Sequence, residues 1–348
     1  MKGPGRSTSR LSMLAEAESR PDDFRPAANW ENLRLRSGLL RRVRDFFHQR
    51  GFLEVETPIL SADTVVDRHL DPFFLAPDGA LAQPGNPSRG RRLWLQTSPE
   101  FAMKRLLADG GEAIYQVTRA FRQDERGPLH NPEFTLVEWY RVGDGTKEGM
   151  TRLSDLAEVL LDRGPAERTS YREAFERHAG IDPHTADAET LAAVAQKHQI
   201  EAPAGLRADD RDGWLDLLMA ERVGPSLGHE HPVIVYDYPA GQAALARVRP
   251  DEPPVAERFE LFCAGIELAN GYHELVDADE LRRRNTEANR LRRADGKGPL
   301  PEASRLLAAM EAGLPDSTGV ALGFDRVVML AAGAESLDEV IAFPSERA

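Results

Sequence analysis

The sequence predicts a single α+β domain, in which antiparallel strand pairs form a sheet and helices flank it. Two strand-like runs, residues 113–121 and 132–142, follow one another along the chain and are joined by a polar connection. A second pair of runs meets at Ala264-Gly265, a segment suited to a two-residue hairpin turn. Apolar residues recur at helical spacing through much of residues 151–223. Hairpins separated by helical segments are typical of the α+β class.

The chain is expected to divide into a short tail and one large domain. Residues 1–25 are rich in Ser, Pro, Gly and Arg, a composition typical of disorder. We assign residues 26–348 to the domain, and residues 151–230 to a helical insertion within it. A length of 348 residues suits one core with such an insertion.

Composition excludes several classes of protein. Hydrophobic residues make up 41% of the chain and charged residues 29%, as in soluble globular proteins. No run of about 18 apolar residues exists, so we expect no membrane partner, and the N-terminus lacks the apolar core of a secretory signal. The lone cysteine, Cys263, rules out a disulfide scaffold. We expect it to be buried in a protein of the reducing cytoplasm.

The first elements follow from local patterns. Apolar positions within residues 33–50 predict a helix, which Gly51 ends. FLEVETPIL then predicts a strand closed by Pro58. A polar loop over residues 76–92 separates this strand from a second one, RLWLQT.

A helix is expected to follow at Ser98-Pro99-Glu100, which combine a capping side chain, a first-turn proline and a first-turn acid. Gly110-Gly111 end it. The later elements are a strand over 233–238, the hairpin, helices within 281–297 and 301–313, and a strand, a glycine and a helix within 319–330.

The hairpin places acids together. With a two-residue turn, the predicted register pairs Cys263 with Ile266, Leu261 with Leu268, and Glu260 with Ala269. Glu260 and Glu267 then share one face, about 7–8 Å apart at the backbone. These charges require a metal ion, a cationic substrate or water, and carboxylate oxygens suit Mg²⁺. The alternative is an exposed sheet face with scattered acids. Asn270-Gly271 is expected to end the strand.

A second polar group lies on the earlier strand pair. Arg122 ends the first strand, and His130-Asn131 precede the second. Phe134 shares a face of that strand with Leu136, Glu138 and Tyr140. An arginine for phosphate and a ring for base stacking suit a nucleoside triphosphate.

Asp325-Arg326 begin a helix just after Gly323, and an arginine in the first turn favours an anion there. The chain has no GxxxxGK[ST] and no GxGxxG after a strand, which excludes a P-loop and a Rossmann fingerprint. Any use of ATP must therefore take place on another fold.

Three blocks resemble, in order, the motifs of class II aminoacyl-tRNA synthetases. RGFLEVETPIL resembles motif 1, FRQDERGPLHNPEFTLVEWY resembles motif 2, and GVALGFDRVVML resembles motif 3. HNPEFTLVEWY and FELFCAGIELANGYHEL are similar to the lysyl branch. The resemblance covers about residues 30–348. It implies an antiparallel sheet core of the class II type and, through motif 1, a homodimer.

Too few residues precede motif 1 for the anticodon-reading OB domain of a lysyl-tRNA synthetase. The chain therefore resembles the elongation factor P–lysine ligases, which join lysine, preferably (R)-β-lysine, to a lysine side chain of elongation factor P. The resemblance implies ATP and Mg²⁺ as cofactors, elongation factor P as partner and no tRNA. The alternatives are a truncated synthetase paralogue that charges tRNA, and a non-catalytic module that senses an amino acid.

The resemblance also implies three groups of site residues. ATP would be bound by Arg122, Gln123, Asp124, His130, Asn131, Phe134, Glu267, Leu268, Gly323 and Arg326. The amino acid would be bound by Ser98, Pro99, Glu100, Glu138, Tyr140, Asn270, Tyr272, Glu274 and Ala321. Mg²⁺ would be bound by Glu260 and Glu267, and catalysis would depend on Arg122, Glu267 and Arg326. Several carboxylates in one pocket suit the two ammonium groups of a diamino acid.

Two positions bear on the comparison with the family. Ala321 stands where lysyl-tRNA synthetases carry glycine and the ligases carry alanine. Motif 2 usually contains Arg-x-Glu, and here Asp124 replaces the glutamate, so either Asp124 or Glu125 is expected to reach the adenine.

The net charge of −13 disfavours binding of long nucleic acid, and positive charge is concentrated only in residues 281–297. This segment is either a solvated helix face or a docking site for an acidic partner. Under the second hypothesis, Arg292 and Arg293 would steer the acidic protein.

Overall fold

A large β-sheet forms the centre of the computed structural model, which describes residues 24–75 and 92–348. Its strands are β1 (Leu53–Glu54), β5 (Ala113–Phe121), β6 (Glu133–Val142), β7 (Glu167–Ser170), β8 (Val233–Pro239), β9 (Val248–Arg249), β10 (Val255–Cys263), β11 (Ile266–His273) and β12 (Ser317–Gly323). The order is β1-β5-β6-β12-β11-β10-β8-β7, with β9 beside β10. Only the outermost pairs, β1-β5 and β7-β8, are parallel within the described residues. Strands β2 (Leu60–Ser61), β3 (Phe74–Leu75) and β4 (Leu93–Leu95) form a small second sheet.

Helices cover both faces of the large sheet. They are α1 (Trp30–His48), α2 (Glu100–Ala108), α3 (Thr146–Leu161), α4 (Tyr171–His178), α5 (Ala188–Lys197), α6 (Arg211–Leu218), α7 (Ala278–Ala294), α8 (Arg305–Gly313) and α9 (Phe324–Ala332). The predicted α+β class is confirmed. None of the helices in the described part of the chain is long and apolar enough to cross a bilayer.

The two faces of the sheet differ in polarity. One face packs against α1, α3 and α9, and its inward residues include Trp139, Phe259 and Val320. Alternation turns the intervening residues of β6, β10, β11 and β12 to the other face. There α2, α7 and α8 form a second core, and α4 to α6 pack beside β8 and β10. The polar side chains of the central strands lie between these two groups of helices.

The hairpin of β10 and β11 has the predicted turn but not the predicted register. Ala264 and Gly265 both have positive φ, 52° and 77°, as a type I′ turn requires. Beyond Glu267 a β-bulge leaves Leu268 without a partner, so that Leu261 pairs with Ala269 and Glu260 with Asn270. The predicted pairs of Leu261 with Leu268 and of Glu260 with Ala269 are therefore wrong, and Ala269 faces the apolar core.

Other elements correct the sequence-based expectations. Asn270-Gly271 do not end the strand, because β11 continues through them. FLEVETPIL forms only the two short strands β1 and β2. The helix expected at Ser98 begins at Glu100, although the Ser98 hydroxyl still accepts a hydrogen bond from the Glu100 amide at 3.1 Å. Within residues 151–230, helices predominate, but β7 joins the edge of the sheet.

Two predicted segments fall mainly outside the described residues. They are the tail over residues 1–25 and the loop over residues 76–92. The division into a tail, a domain and an insertion over 151–230 remains a prediction.

The basic segment is held by local ion pairs. Arg283 and Arg284 both pair with Glu280 at 2.7 Å. Arg292 is only 3% exposed. Its guanidinium donates to the carbonyl oxygens of Asp67, Leu70 and Gly298 and pairs with Asp71 at 2.7 Å. The hypothesis that Arg292 steers an acidic partner is therefore wrong, because its charge is buried and already neutralised.

Gly271 is required where β11 crosses the core. A Cβ at this position would lie 2.5 Å from two ring carbons of Phe259 and 2.9 Å from Cγ2 of Val320. We expect Gly271→Ala to lower the free energy of unfolding by about 1–3 kcal/mol, because overpacking shifts buried neighbours. Denaturant unfolding measures this. Gly298→Ala is the control, since an added Cβ there meets nothing within 4 Å, and it should change the free energy by less than about 0.5 kcal/mol. Equal effects of the two substitutions would contradict the packing argument.

Candidate active site

Two rows of side chains cross four neighbouring strands on the polar face. The first row, in register, is Glu138 on β6, Ala321 on β12, Asn270 on β11 and Glu260 on β10. The second row, two residues along each strand, is Tyr140, Gly319, Tyr272 and Arg258. Glu267 lies three positions before Asn270, so in a regular strand the two side chains would point to opposite faces. The β-bulge between them brings both to the same face. The sheet therefore presents a flat array of polar groups at the floor of a cavity.

Gly319 has no side chain, and this leaves room in the second row for the side chains of Glu274 and Tyr140. A Cβ on Gly319 would overlap the carboxylate of Glu274 and the ring of Tyr140. The sequence analysis did not single out this glycine. Its position inside a strand, where glycine is unfavourable, was the available signal of a close approach.

Glu138 is buried and forms no ion pair within the described part of the chain. It is 1% exposed, and its two oxygens accept hydrogen bonds from the Ser98 hydroxyl at 2.8 Å and the Tyr140 hydroxyl at 2.6 Å. Burial, and next the charge of Glu100, raise the pKa of Glu138 to about 7. The carboxyl is therefore poised to ionise when a positive group arrives.

Glu100 and Glu274 share a lysine that the sequence analysis missed. Lys104 lies 2.5 Å from an oxygen of each carboxylate, and all three residues are buried. Burial alone lowers the pKa of Lys104, but the two carboxylates outweigh this effect and hold the pKa above its ordinary value. The signal was present in the sequence. Glu100 and Lys104 occupy the same helical stripe as Met103 and Leu107, all of them buried.

The two acids proposed for a metal ion interact electrostatically. Burial, and next the charge of Glu260, raise the pKa of Glu267 to about 7. Glu260 already accepts hydrogen bonds from Tyr238 and Arg258, each at 2.5 Å, and each carboxylate oxygen retains a second lone pair. No group of three or more His, Cys, Asp or Glu able to hold a metal occurs within residues 24–75 and 92–348. Two carboxylates fit Mg²⁺ that takes its other ligands from phosphates and water.

The residues expected at the phosphates surround the same end of the cavity. The Arg122 guanidinium lies 4.9 Å from the centre of the Phe134 ring. Arg326 donates to the backbone oxygen of Glu267 at 2.8 Å and to Nε2 of His130 at 2.8 Å. Desolvation, and next the charge of Arg326, lower the pKa of His130, which suits a neutral ring that accepts this bond. Asp325 pairs with Arg36 and accepts from the Thr135 amide, which fixes the start of α9.

Most of these groups line one cavity of about 1100 Å³. Of the predicted site residues, those on its wall are Ser98, Glu100, Arg122, His130, Asn131, Phe134, Glu138, Tyr140, Glu267, Leu268, Asn270, Tyr272, Glu274, Ala321, Gly323 and Arg326. Glu125 also lines it. Pro99, Gln123, Asp124 and Glu260 do not. Asp124 is exposed and has a φ of 60°. Between the two alternatives for the adenine, this placement favours Glu125.

Comparison with known proteins identifies the family of this chain. The family of tRNA synthetases class II (D, K and N) matches residues 14–347. The chain belongs to this class II synthetase family. Two curated proteins named elongation factor P–(R)-β-lysine ligase, from Klebsiella pneumoniae subsp. pneumoniae and from Klebsiella pneumoniae strain 342, are 48% identical over 325 residues, 93% of this chain and 98% of each relative. A ligase of the same name from Salmonella paratyphi B is 47% identical over the same shares.

The family assignment agrees with the motifs read from the sequence. The segment that resembles motif 2 forms β5, β6 and their connection, and the segment that resembles motif 3 forms β12 followed by α9. Sequence reasoning missed Arg258 and Tyr238, which hold Glu260. Arg258 is two residues before Glu260 on β10, so alternation alone would have placed both on one face.

Binding of a diamino acid should depend on the ionisation of Glu138. Because its pKa is about 7, the carboxylate fraction rises from pH 6 to pH 8, and an ammonium ion binds only the ionised form. We expect the dissociation constant for lysine, measured by calorimetry, to fall about tenfold over this interval of about two pH units. Glu138→Gln should bind weakly at both pH values and show no such change. An equal constant for the unaltered protein at both pH values would contradict the role of Glu138.

Proposed function

We propose that the protein is an ATP-dependent ligase that activates lysine, preferably (R)-β-lysine, and transfers it to a lysine side chain of elongation factor P. The observation that carries this proposal is the similarity to ligases of that name over 93% of the chain. The cavity supports it, because acids for ammonium groups lie beside arginines for phosphates.

The amino acid and the nucleotide would occupy the two ends of the array. Glu138, Glu274 and Glu100 would receive the ammonium groups of the diamino acid, and Asn270 and Tyr272 would border it. Ala321 lies between Glu138 and Asn270 in the first row, so its methyl group would contact the substrate backbone. This contact would influence the choice between α- and β-amino acids, an effect on the order of 1–3 kcal/mol.

In the first step, the substrate carboxylate would attack the α-phosphorus of ATP, giving the aminoacyl-adenylate and pyrophosphate. Arg122 would neutralise charge on the α-phosphate, with Phe134 against the base. Arg326 would hold the leaving pyrophosphate from the first turn of α9. Glu260 and Glu267 would hold Mg²⁺, which supplies positive charge beside the phosphates.

In the second step, the neutral amine of the acceptor lysine would attack the carbonyl carbon of the adenylate. An amide forms, AMP leaves, and the amine gives up a proton. No protein nucleophile is required, so positioning would supply most of the rate. Ser98 lies on the cavity wall, where its hydroxyl donates to Glu138, and the proposed reaction gives it no nucleophilic role.

The protein would act as a homodimer in the cytoplasm, without tRNA. The edge strand β1 is exposed, with Leu53 at 65%, and Trp30 at the start of α1 is 67% exposed. Exposed apolar residues on an unpaired strand edge favour association with a second chain. The net charge of −13 disfavours tRNA, and the single buried Cys263 suits a reducing compartment.

The function is tested by competition between acceptors. The protein is incubated with ATP, Mg²⁺, elongation factor P and bulk tRNA, with each lysine isomer in turn, and both acceptors are examined by mass spectrometry. We expect a gain of one lysyl mass on elongation factor P, faster with (R)-β-lysine. Glu267→Gln should slow it by about a hundredfold, because it removes a carboxylate from the phosphate end.

Charged tRNA with unmodified elongation factor P would instead establish a synthetase paralogue. Binding of lysine without any adenylate would establish an amino-acid sensor.

Association is tested by sedimentation velocity. We expect the unaltered protein to sediment with twice the mass of the chain. Leu53→Asp with Trp30→Ala should sediment as a monomer, since the substitutions remove exposed apolar area from strand β1 and from the start of α1. Leu106→Asp, at an exposed apolar residue of α2, is the control and should remain dimeric. A monomeric unaltered protein would contradict the proposed dimer.

A further inference from the structure

Lys104 is an ammonium group built into the protein behind the substrate end of the cavity. It is 2% exposed and does not line the cavity, whereas its partners Glu100 and Glu274 do. Glu100 precedes it by one turn on α2, and Glu274 follows the end of β11. The lysine therefore ties the helix above the cavity to the sheet below it through two ion pairs of 2.5 Å.

This tie fixes the position of two acids that would otherwise repel one another. Two buried carboxylates without a counter-ion share a proton or move apart. Burial raises the pKa of Glu274, and the ammonium group of Lys104 opposes that rise. A neutral side chain of the same length would fill the space but would leave this repulsion in place.

Lys104 also determines how much negative charge remains for a ligand. Glu100, Glu138 and Glu274 lie around the substrate end. Within the described residues, the hydrogen-bond donors to Glu138 are the hydroxyl groups of Ser98 and Tyr140, and the charge of Lys104 acts on it without an ion pair. With all three acids ionised, the single ammonium of Lys104 leaves two negative charges uncompensated. A diamino acid brings two ammonium groups, so its binding would complete the neutralisation.

We propose that Lys104 is a positioning residue for substrate selection. It holds Glu100 and Glu274 in place and sets the net charge of the substrate end of the cavity to match a substrate with two ammonium groups. This inference rests on the proposed function for the identity of the substrate. The residue acts through the two acids and makes no contact with the substrate itself.

The test is replacement of Lys104 followed by rescue with a small amine. Lys104→Ala removes the ammonium group and leaves a space that ends at two carboxylates. We expect the KM for lysine in ATP–pyrophosphate exchange to rise at least tenfold, with a smaller change in kcat. Ethylammonium or propylammonium should restore the KM in a saturable manner, whereas ethanol and propanol of similar size should not.

Met103→Ala is the matched control. Met103 is the neighbouring residue of α2 and is fully buried, so its truncation also opens a cavity but changes no charge. We expect it to lower the melting temperature and to leave the KM for lysine and its response to alkylammonium ions unchanged. A response of both variants to the amine would assign the rescue to filled space and overturn the proposal.

A second readout does not depend on activity. The melting temperature of Lys104→Met should fall more steeply than that of the unaltered protein as the pH rises from neutrality, because Glu274, whose pKa burial raises to about 8, then ionises without a counter-charge. Parallel pH profiles, or an unchanged KM in Lys104→Ala, would overturn the proposal.

If Lys104→Ala folds only with alkylammonium present, the proposal is supported. If it folds neither with the amine nor with the alcohol, Lys104 has a role in the fold alone, and the proposal is overturned. An unaltered protein without lysine-dependent exchange would contradict the proposed function, while the melting profiles would still decide the role of Lys104.

Discussion

The burial of negative charge is the constraint on which this site is built. Glu100, Glu138, Glu260 and Glu274 are each less than a tenth exposed. Three of them line one cavity, and Glu260 lies on the neighbouring strand β10. An ionised carboxylate is costly in such surroundings unless a cation or several donors compensate it. The protein compensates these acids in three ways. Lys104 pairs with Glu100 and Glu274, hydroxyl groups donate to Glu138, and Arg258 with Tyr238 donate to Glu260. The arrangement of donors therefore decides which acids remain available to a ligand.

Much of this arrangement was accessible from the sequence. Alternation along β6 places Glu138 and Tyr140 on one face, and the turn at Ala264-Gly265 fixes the start of the hairpin. Three ordered motifs then gave the family, which the comparisons confirm. These features depend on residues close together in the chain, and local patterns report them well.

The remainder depends on contacts between distant segments. The bulge at Leu268 has no glycine to mark it, and it changed the partners of Glu260 and Ala269. Lys104 has the appearance of a surface helix residue until Glu274, 170 positions away, is brought beside it. Arg292 belongs to a run of charges that suggests an exposed face, yet it is buried against the loop of Asp67 to Asp71. Tertiary packing decided each of these positions.

The bulge has a consequence for how this hairpin can change length. The residues of β11 before Leu268 and those after it follow opposite alternations, so that odd-numbered positions before the bulge and even-numbered positions after it face the cavity. Loss of Leu268 would turn either Glu267 or the series from Asn270 to Glu274 away from the cavity. Insertions at the tip would keep both alternations, but they would disturb the backbone hydrogen bonds that Ala264 and Gly265 donate to the carbonyl oxygens of Gly228 and Leu227. The spacing between Glu267 and Asn270 should therefore stay fixed, because any change in it alters which side chains face the cavity.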